Sequence, residues 1–385
     1  MKASNMDDFK GEKMKEFGKV TILLLLLFSN IFVFSEVAID QKYLLKSIYE
    51  GKDFTNVFPY PIYDEAYSGF EPYFIYWDID PIWLISGIYK TNWSDFERGL
   101  YLSDSIPYVK GFMGGYDAGN MRIISGLYFF DPYLDEESFL RQRNTSYDRN
   151  SDRYRIENFG YSDPSKVLFI HRVEWIFFEK LRLSLSELNL IGGKYPDLSD
   201  ANPFGVSHNN LGEGFSNSMM GLDFSLIPFD GFQIYGQFAM DDFVVQSTES
   251  GAEDYKPTAL AWSFGTRKVY KSSNFYVSPK IEYYKIYTWM YNQWLPYLKW
   301  TAFYGNEEFP IGFDYGNDME GFLIGIDIFN DNVSYKLIFE RYLKGEIDLS
   351  TPYEDERKID SLQWAGPYGE TSNFIVISFQ FEIKI

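Results

Sequence analysis

The carboxyl-terminal stretch NFIVISFQFEIKI, residues 373–385, alternates apolar and polar side chains. Every odd position from Ile375 to Ile385 is Ile or Phe, whereas the even positions from Ser378 to Lys384 are polar. A period of two places neighbouring side chains on opposite faces of a β-strand. Two environments suit such a strand: the half-buried sheet of a soluble sandwich, or an outer-membrane barrel with lipid on one face and a wet lumen on the other.

The same alternation recurs in pairs of segments separated by turn sequences. Each pair predicts an antiparallel hairpin with one apolar face. The pairs are 222–226 and 232–240 around the turn PFDG, 260–264 and 275–283 around the turn KSSN, and 322–328 and 333–339 around the turn FNDN.

One stretch, KLRLSLSELNLIGG at 180–193, changes parity. Its leucines are odd-numbered up to Leu185 and even-numbered from Leu188. An extra residue at Ser186 or Glu187, in a β-bulge, would keep one face apolar. Two short strands with a kink between them fit equally well.

The amino terminus has the parts of a secretory signal. A basic MKEFGK at 14–19 precedes an apolar run from Val20 to Ser35, and such a run after a basic segment is typical of export signals. The run is shorter than the ~20 residues that a spanning helix needs, which disfavours a membrane anchor. We therefore expect residues 1–35 to be a signal peptide, with Met14 as a candidate for the true start.

Composition excludes several classes of function. The chain has no Cys and 2 His, so it lacks disulfides, thiol chemistry and a histidine-rich metal centre, and we expect neither a metal nor another cofactor. A net charge of −20 disfavours nucleic acid as a partner. Its 32 Tyr and 36 Phe favour a β-rich chain with aromatic girdles, although carbohydrate-binding surfaces also use aromatic residues.

The pattern divides the chain into unequal parts. Residues 36–110 are interrupted by prolines and include a helical period at 40–50, which predicts a small, partly helical amino-terminal segment that could plug a barrel. We assign residues 111–385 to the barrel. The polar stretch 139–166 predicts a long loop outside the bilayer, and its arginines indicate a solvated loop more than an acidic-ligand site.

Chain length favours the barrel over the sandwich. About 350 residues remain after the signal, and at roughly 20 residues per strand and connection they give roughly 16 to 18 strands. The fold class expected is therefore all-β, a closed antiparallel transmembrane β-barrel of roughly 16–18 strands. Its last strand would close against an early one, with Ile and Phe toward lipid.

From residue 171 to about 345 the chain contains a series of motifs in a characteristic order. They are His171-Arg172, Ser186-Glu187, NPFGVSHNN at 202–210, Asn217 before GLDF at 221–224, YGQFAMDD at 235–242, EYYKIYTWMYNQW at 282–294 with Thr288, Tyr291 and Asn292, and PIGFDYGND at 310–318. In these motifs the chain resembles the capsule assembly Wzi family of outer-membrane proteins. Three departures accompany the likeness: the chain is short for the family, Lys285 stands where an Arg is usual, and the amino-terminal third has no counterpart.

The resemblance implies a non-enzymatic barrel in the outer membrane of a diderm bacterium that binds or organises surface polysaccharide. Its partners would be outer-membrane lipid, the polysaccharide and the barrel-assembly machinery. Rings and amides hold sugars by stacking and planar hydrogen bonding, which makes Trp289, Tyr291, Asn292 and Trp294 candidates. For the two tryptophans an interface girdle is the more frequent role.

A set of charged residues is expected in the lumen or in the family motifs. If Val173 and Trp175 face lipid, we expect Arg172, Glu174 and Glu187 to face inward. Opposed charges there would pair and fix strand register more readily than they would bind a ligand. The set comprises His171, Arg172, Glu174, Glu187, Asp223, Asp241 and Asp242.

Two other functions remain open. A porin would pass small solutes, with acidic residues biasing it toward cations. An exported polysaccharide-acting enzyme would need paired carboxylates, such as Asp241 with Asp242 or Glu307 with Glu308. Neighbours on an extended strand face opposite ways and cannot flank one bond, and no GxSxG, HExxH or P-loop motif is present.

Overall fold

The computed structural model describes residues 32–33, 41–51, 61–62, 73–130, 166–192, 216–242, 257–293, 298–304, 307–351 and 361–383. The elements in chain order are β1 (Phe32–Val33), α1 (Gln41–Tyr49), β2 (Pro61–Ile62), β3 (Tyr73–Ile79), β4 (Ile82–Thr91), β5 (Val109–Asp117), β6 (Met121–Phe130), β7 (Lys166–Phe177), β8 (Leu181–Gly192), β9 (Ser216–Phe229), β10 (Phe232–Asp242), β11 (Ala259–Lys268), β12 (Tyr270–Ser272), β13 (Phe275–Ile286), β14 (Thr301–Tyr304), β15 (Glu307–Pro310), β16 (Met319–Phe329), β17 (Val333–Lys344) and β18 (Ser372–Ile383).

One antiparallel sheet of sixteen strands dominates the chain, which confirms the all-β prediction. Fourteen strands form an unbroken path from β1 through β3 to β11, then β13 and β16 to β18, while β2 and β12 pair at its side and β14 and β15 form a separate hairpin. The sheet already includes β3 and β4, upstream of the expected boundary at residue 111. Within the described ranges β18 pairs with β17, so closure against an early strand stays a prediction.

The three predicted hairpins are present. They pair β9 with β10, β11 and β12 with β13, and β16 with β17. The turn between β9 and β10 is reduced to Asp230 and Gly231, and Gly231 has a φ of 75°, which favours glycine because a Cβ is strained there.

The change of parity at 180–193 has a different cause from either one expected. Strand β8 is continuous, and its register with β7 and β9 has no shift, so there is neither a bulge nor a break. Leu183 and Leu185 face outward and are exposed, whereas Leu188 and Leu190 face inward and are fully buried. The lumen itself becomes apolar at that level, and this explains the change.

Polarity across the sheet is inverted relative to a soluble protein. Large apolar side chains are exposed on the outer face of strands from β3 to β18, whereas charged and amide side chains are buried on the inner face. The outward set includes Ile75, Leu84, Phe112, Phe129, Trp175, Leu185, Leu222, Phe264, Ile281, Ile324, Leu337 and Phe379. The inward set includes Arg172, Glu174, Arg182, Asp223, Gln233, Gln237, Arg267, Lys280, Glu282, Asp327 and Glu340.

The two ends of the sheet differ in their connections. At one end, six turns of two or three residues join successive strands, at 80–81, 118–120, 178–180, 230–231, 273–274 and 330–332. At the other, the connections 92–108, 131–165, 193–215, 243–258, 287–318 and 345–371 are all long. We call these the short-turn end and the long-connection end.

Helix α1 lies at the short-turn end. Its Leu45 and Ile48 are buried against Ile227, Val269 and Phe329, as the helical period at 40–50 predicts. Across the described part of the chain, no helix is long and apolar enough to cross a membrane.

Candidate functional site: the inner segment and the lumen wall

The connection between β4 and β5, residues 92–108, lies inside the curved sheet, and we call it the inner segment. Trp93, Leu100 and Leu102 are fully buried in the main hydrophobic cluster. The amide of Gln237 on β10 holds its backbone at two points, accepting from the Leu100 N–H at 2.8 Å and donating to the Trp93 carbonyl at 3.1 Å. The centre of the barrel is therefore occupied by the chain itself.

Two carboxylates of the inner segment neutralise basic residues of the wall. Asp95 accepts from Arg182 of β8, and its backbone carbonyl accepts from Arg267 of β11. Charge-assisted hydrogen bonds of this kind are roughly twice as strong as neutral ones. Asp95 thus joins β8, through its carboxylate, and β11, through its backbone carbonyl, to one point inside the sheet.

Glu97 makes the second such bridge. It accepts from Lys280 of β13 at 2.6 Å and from Lys336 of β17 at 2.9 Å. Burial alone would raise the pKa of Glu97, but the ammonium groups of Lys280 and Lys336 hold that pKa well below its ordinary value of 4.5. Glu97 is therefore ionised at neutral pH and fixes the segment against two further strands.

Arg98 reverses the charge pattern. Its guanidinium makes a two-point contact with Glu340 of β17, at 3.1 and 3.2 Å, and also donates to Asp314. The Arg98 Cζ lies 5.3 Å from the ring centre of Tyr315. Burial raises the pKa of Asp314 to about 6 even though Arg98 opposes that shift. Segment and wall are thus complementary in charge.

Aromatic rings support these ion pairs. Phe96 contacts Tyr235 and Tyr284, with ring centroids 4.6 and 5.8 Å apart, both in edge-on geometry. Glu282 of β13 accepts the Glu97 N–H at 3.1 Å and the Tyr235 hydroxyl at 2.7 Å. Successive residues of the segment therefore alternate between charged and aromatic contacts.

The family-motif arginine lies beside this arrangement. Arg172 on β7 makes a two-point contact with Asp223 on β9, at 2.7 and 2.9 Å, and donates to Glu174 at 2.7 Å. The Tyr101 hydroxyl of the inner segment donates to the same Asp223 carboxylate. Arg172 also donates to Ser186 of the intervening strand β8 at 2.9 Å, so this network ties three strands and the inner segment together.

His171 and Glu187 contact each other on the face of the sheet that Val173 and Leu185 share. The His171 Nδ1 lies 3.4 Å from the Glu187 carboxylate across the β7–β8 pair, and both side chains are buried. Because β8 is continuous and has no bulge, Glu187 lies on the face opposite Arg172, and the expected inward direction of Glu187 does not follow from its position. A ligand-binding role for any of them stays a prediction.

Three of the four carbohydrate candidates are described by the structure, and all three are buried. Trp289 donates to the Ser361 hydroxyl at 2.9 Å, Tyr291 donates to the Leu100 carbonyl, and Asn292 donates to the Asp348 carbonyl at 3.3 Å. All three lie in the connection 287–318 at the long-connection end, where Tyr291 contacts the inner segment and the other two contact the connection 345–371. Trp294 lies outside the described residues. Carbohydrate binding by these side chains stays a prediction.

The carboxylates considered for an enzyme lie in the following surroundings. Asp241 is buried, and its carboxylate accepts from the Trp300 indole at 2.7 Å. Asp242 follows a register shift in β10. Glu308 accepts from Thr301 at 2.7 Å within the β14–β15 hairpin, where Glu307 is exposed. Within the described ranges no group of three or more His, Asp or Glu is placed to hold a metal ion.

Neither family models nor curated proteins match this chain. Solved structures of β-barrels do. Wzi of Escherichia coli, an outer-membrane protein involved in group 1 capsule assembly and a carbohydrate-binding β-barrel, matches with 15% identity and a TM-score of 0.48 over 80% of this chain and 66% of that one. The chain therefore spans slightly less than two thirds of Wzi.

Two further structures match over a similar part of the chain. A variant of OccD1 (OprD) has 9% identity and a TM-score of 0.35, over 80% of this chain and 65% of that one. OmpT of Vibrio cholerae has 11% identity and a TM-score of 0.37, over 81% of this chain and 80% of that one.

Proposed function

We propose that the chain is an integral outer-membrane β-barrel with a filled lumen that binds or organises surface polysaccharide at its outer end and cleaves nothing. Membrane insertion is supported by the inverted polarity of the sheet. Exposed Ile, Leu and Phe on strand after strand form an apolar belt far larger than the patches of soluble monomers.

The inner segment is the feature that favours a surface-attachment protein over a pore. A solute path along the barrel axis would have to pass Asp95, Glu97 and Arg98, which bridge wall strands from β8 to β17. Displacing them would leave buried charges without partners, at a cost of several kcal/mol each. A permanently filled barrel suits a surface-attachment role, and the porin alternative requires the segment to leave.

The difference between the two ends of the sheet indicates how the protein would be oriented in the membrane. Outer-membrane barrels keep short turns in the periplasm and long loops outside, so the five long connections other than the inner segment would form the cell-surface rim. Residues 287–318, whose motifs resemble the capsule assembly family, belong to that rim. The polysaccharide role follows from this resemblance and from the filled lumen together.

Three measurements, on the wild-type strain, the purified protein and a deletion strain, test the proposal. Envelope fractions are run on gels with and without boiling, since a folded barrel migrates differently when heated. The purified protein is then placed in planar bilayers, and a deletion strain is assayed for cell-bound against released polysaccharide. We expect a heat shift, no steady conductance, and a larger released fraction that the wild-type gene restores.

Each measurement can contradict a different part. Stable conductance would identify a pore, and a soluble species without a heat shift would indicate an exported sandwich. Unchanged retention of polysaccharide in the deletion strain would remove the attachment role. Hydrolysis of the purified polysaccharide by the protein would identify an enzyme.

A further inference from the structure

A cavity of about 450 Å³ opens at the short-turn end, where α1 meets the β9–β10 turn and β12. Its lining has two lysines and two carboxylic acids beside three apolar or aromatic side chains. The lining residues are Tyr49, Glu50, Asp230, Lys268, Val269, Tyr270 and Lys271. This mixed-charge cavity lies at the end of the sheet opposite the long connections, and it has no part in the function proposed above.

The cavity borders the apolar belt directly. Phe229 is 55% exposed and Tyr270 is 52% exposed, and both side chains lie at the short-turn end of the sheet. The Lys268 ammonium lies 5.1 Å from the Phe229 ring centre and 5.8 Å from that of Tyr270. A lysine with its stem along aromatic rings and its charge at their edge is typical of the boundary between hydrocarbon and headgroups.

Further cations on aromatic rings extend this boundary. Lys271 and Lys46 lie 5.3 and 5.8 Å from the ring centre of Tyr276, and Lys46 also pairs with Asp331 at 3.0 Å. Lys268 donates to the Asp230 carbonyl at 2.8 Å, which places its ammonium at the cavity mouth. Packing of α1 against the β9–β10 turn, where the Gly231 N–H donates to the Ile48 carbonyl at 2.7 Å, keeps the cavity walls together.

We propose that this cavity binds the headgroup of a zwitterionic phospholipid with a primary ammonium, of the phosphoethanolamine class. The phosphate would accept from Lys268 and Lys271, and the ammonium would donate to Glu50 and Asp230. Acyl chains would then follow the outer wall past Phe229 and Tyr270. The inference rests on the membrane-barrel part of the proposed function and is independent of polysaccharide.

Balance of charge selects this class of lipid over others. Two lysines and two carboxylates leave no net charge in the lining, so an anionic headgroup would meet the repulsion of Glu50 and Asp230. A quaternary ammonium carries no N–H and cannot donate to those carboxylates. Phosphatidylethanolamine has both a phosphate for the two lysines and an N–H-bearing ammonium for the two carboxylates. Phosphatidylglycerol and phosphatidylcholine have only the phosphate to offer as a hydrogen-bonding partner.

The test is native mass spectrometry of the full chain, released from micelles that contain equimolar phosphatidylethanolamine, phosphatidylglycerol and phosphatidylcholine. Because a hydrogen bond to a charged group changes binding by roughly tenfold, we expect retention of phosphatidylethanolamine over each competitor by about that factor. The double variant K268S/K271S should lose retention by a similar factor, while K180S, at another turn of the same end, should retain lipid as the wild type does. E50Q/D230N should keep total lipid but retain phosphatidylcholine and phosphatidylethanolamine alike.

Equal retention of the three lipids by the wild type, or a preference for phosphatidylglycerol, would overturn the inference without any variant. Retention unchanged in K268S/K271S would also overturn it. Heat shift and envelope fractionation of the same samples report insertion separately. A protein that inserts but shows no headgroup preference refutes this site alone, whereas one that fails to insert refutes the membrane assignment.

Discussion

Replacing Glu97 with Gln removes the charge that bridges β13 and β17 while keeping the shape of the side chain. In the wild type this carboxylate accepts at 2.6 and 2.9 Å from Lys280 and Lys336, and the Lys280 side chain is 1% exposed. Loss of one partner from a buried pair costs about 3–5 kcal/mol. Since the Glu97 side chain is 15% exposed, we take the lower end, about 3 kcal/mol, which makes detachment of the inner segment roughly 10²-fold more frequent.

The assay is planar-bilayer recording of E97Q beside the wild type and beside E307Q, a charge-matched control at an exposed residue of the β14–β15 hairpin. We expect brief openings in E97Q and silence in the other two. Because wall carboxylates such as Glu282 and Asp327 line the open lumen as well as the basic residues that lose their partners, we expect the openings to conduct both cations and anions. If E97Q is silent yet shows the wild-type heat shift, the ion pairs do not hold the segment in place.

Three further outcomes are expected. Phe379→Asp with Phe381→Asp puts two charges on the outer face of β18 and should abolish assembly into membranes, as scored by envelope fractionation; normal insertion would argue against the lipid-facing assignment. Asp223→Asn leaves the buried Arg172 guanidinium short of its two-point partner, so the heat shift should occur at a clearly lower temperature, consistent with a loss of about 3–5 kcal/mol. Because the folded-state pKa of Glu97 is lowered, its stabilisation is present above pH 4.5 and declines as the pH falls below it, so acid should raise the conductance of the wild type; silence down to strongly acidic pH would contradict this.

The strands of the sheet could be predicted from the sequence because the alternation of apolar and polar residues is a local pattern. The alternation in 322–328 and 333–339 reports the environment of each face residue by residue, and a turn sequence marks where one strand ends. Even the failure at 180–193 is instructive. A strand whose inner face changes from Arg182 and Ser184 to Leu188 and Leu190 looks like a slip in register, because periodicity alone does not record that the interior changes polarity along the barrel.

The inner segment was missed because nothing local distinguishes it from an irregular surface loop. Its sequence SDFERG, residues 94–99, becomes meaningful once Arg182, Arg267, Lys280 and Lys336 are known to face one lumen. These partners lie 87 to 239 residues away in sequence. An available signal was the presence of inward-facing basic residues on several strands, which need acidic partners. The exposed role expected of Trp289, Tyr291 and Asn292 came from residue type, which does not report burial.

The position of the inner segment between β4 and β5 has a consequence for how the molecule is made. Synthesis delivers residues 92–108 well before β7 to β17, the strands that they contact. A segment that is synthesised early can act as a template against which later strands pack. Each of these strands would form a charged or aromatic contact with the segment as it joins the growing sheet. Contacts between such distant parts of a chain are slow to form unaided, so an internal guide of this kind would make the order of strand addition a property of the sequence itself.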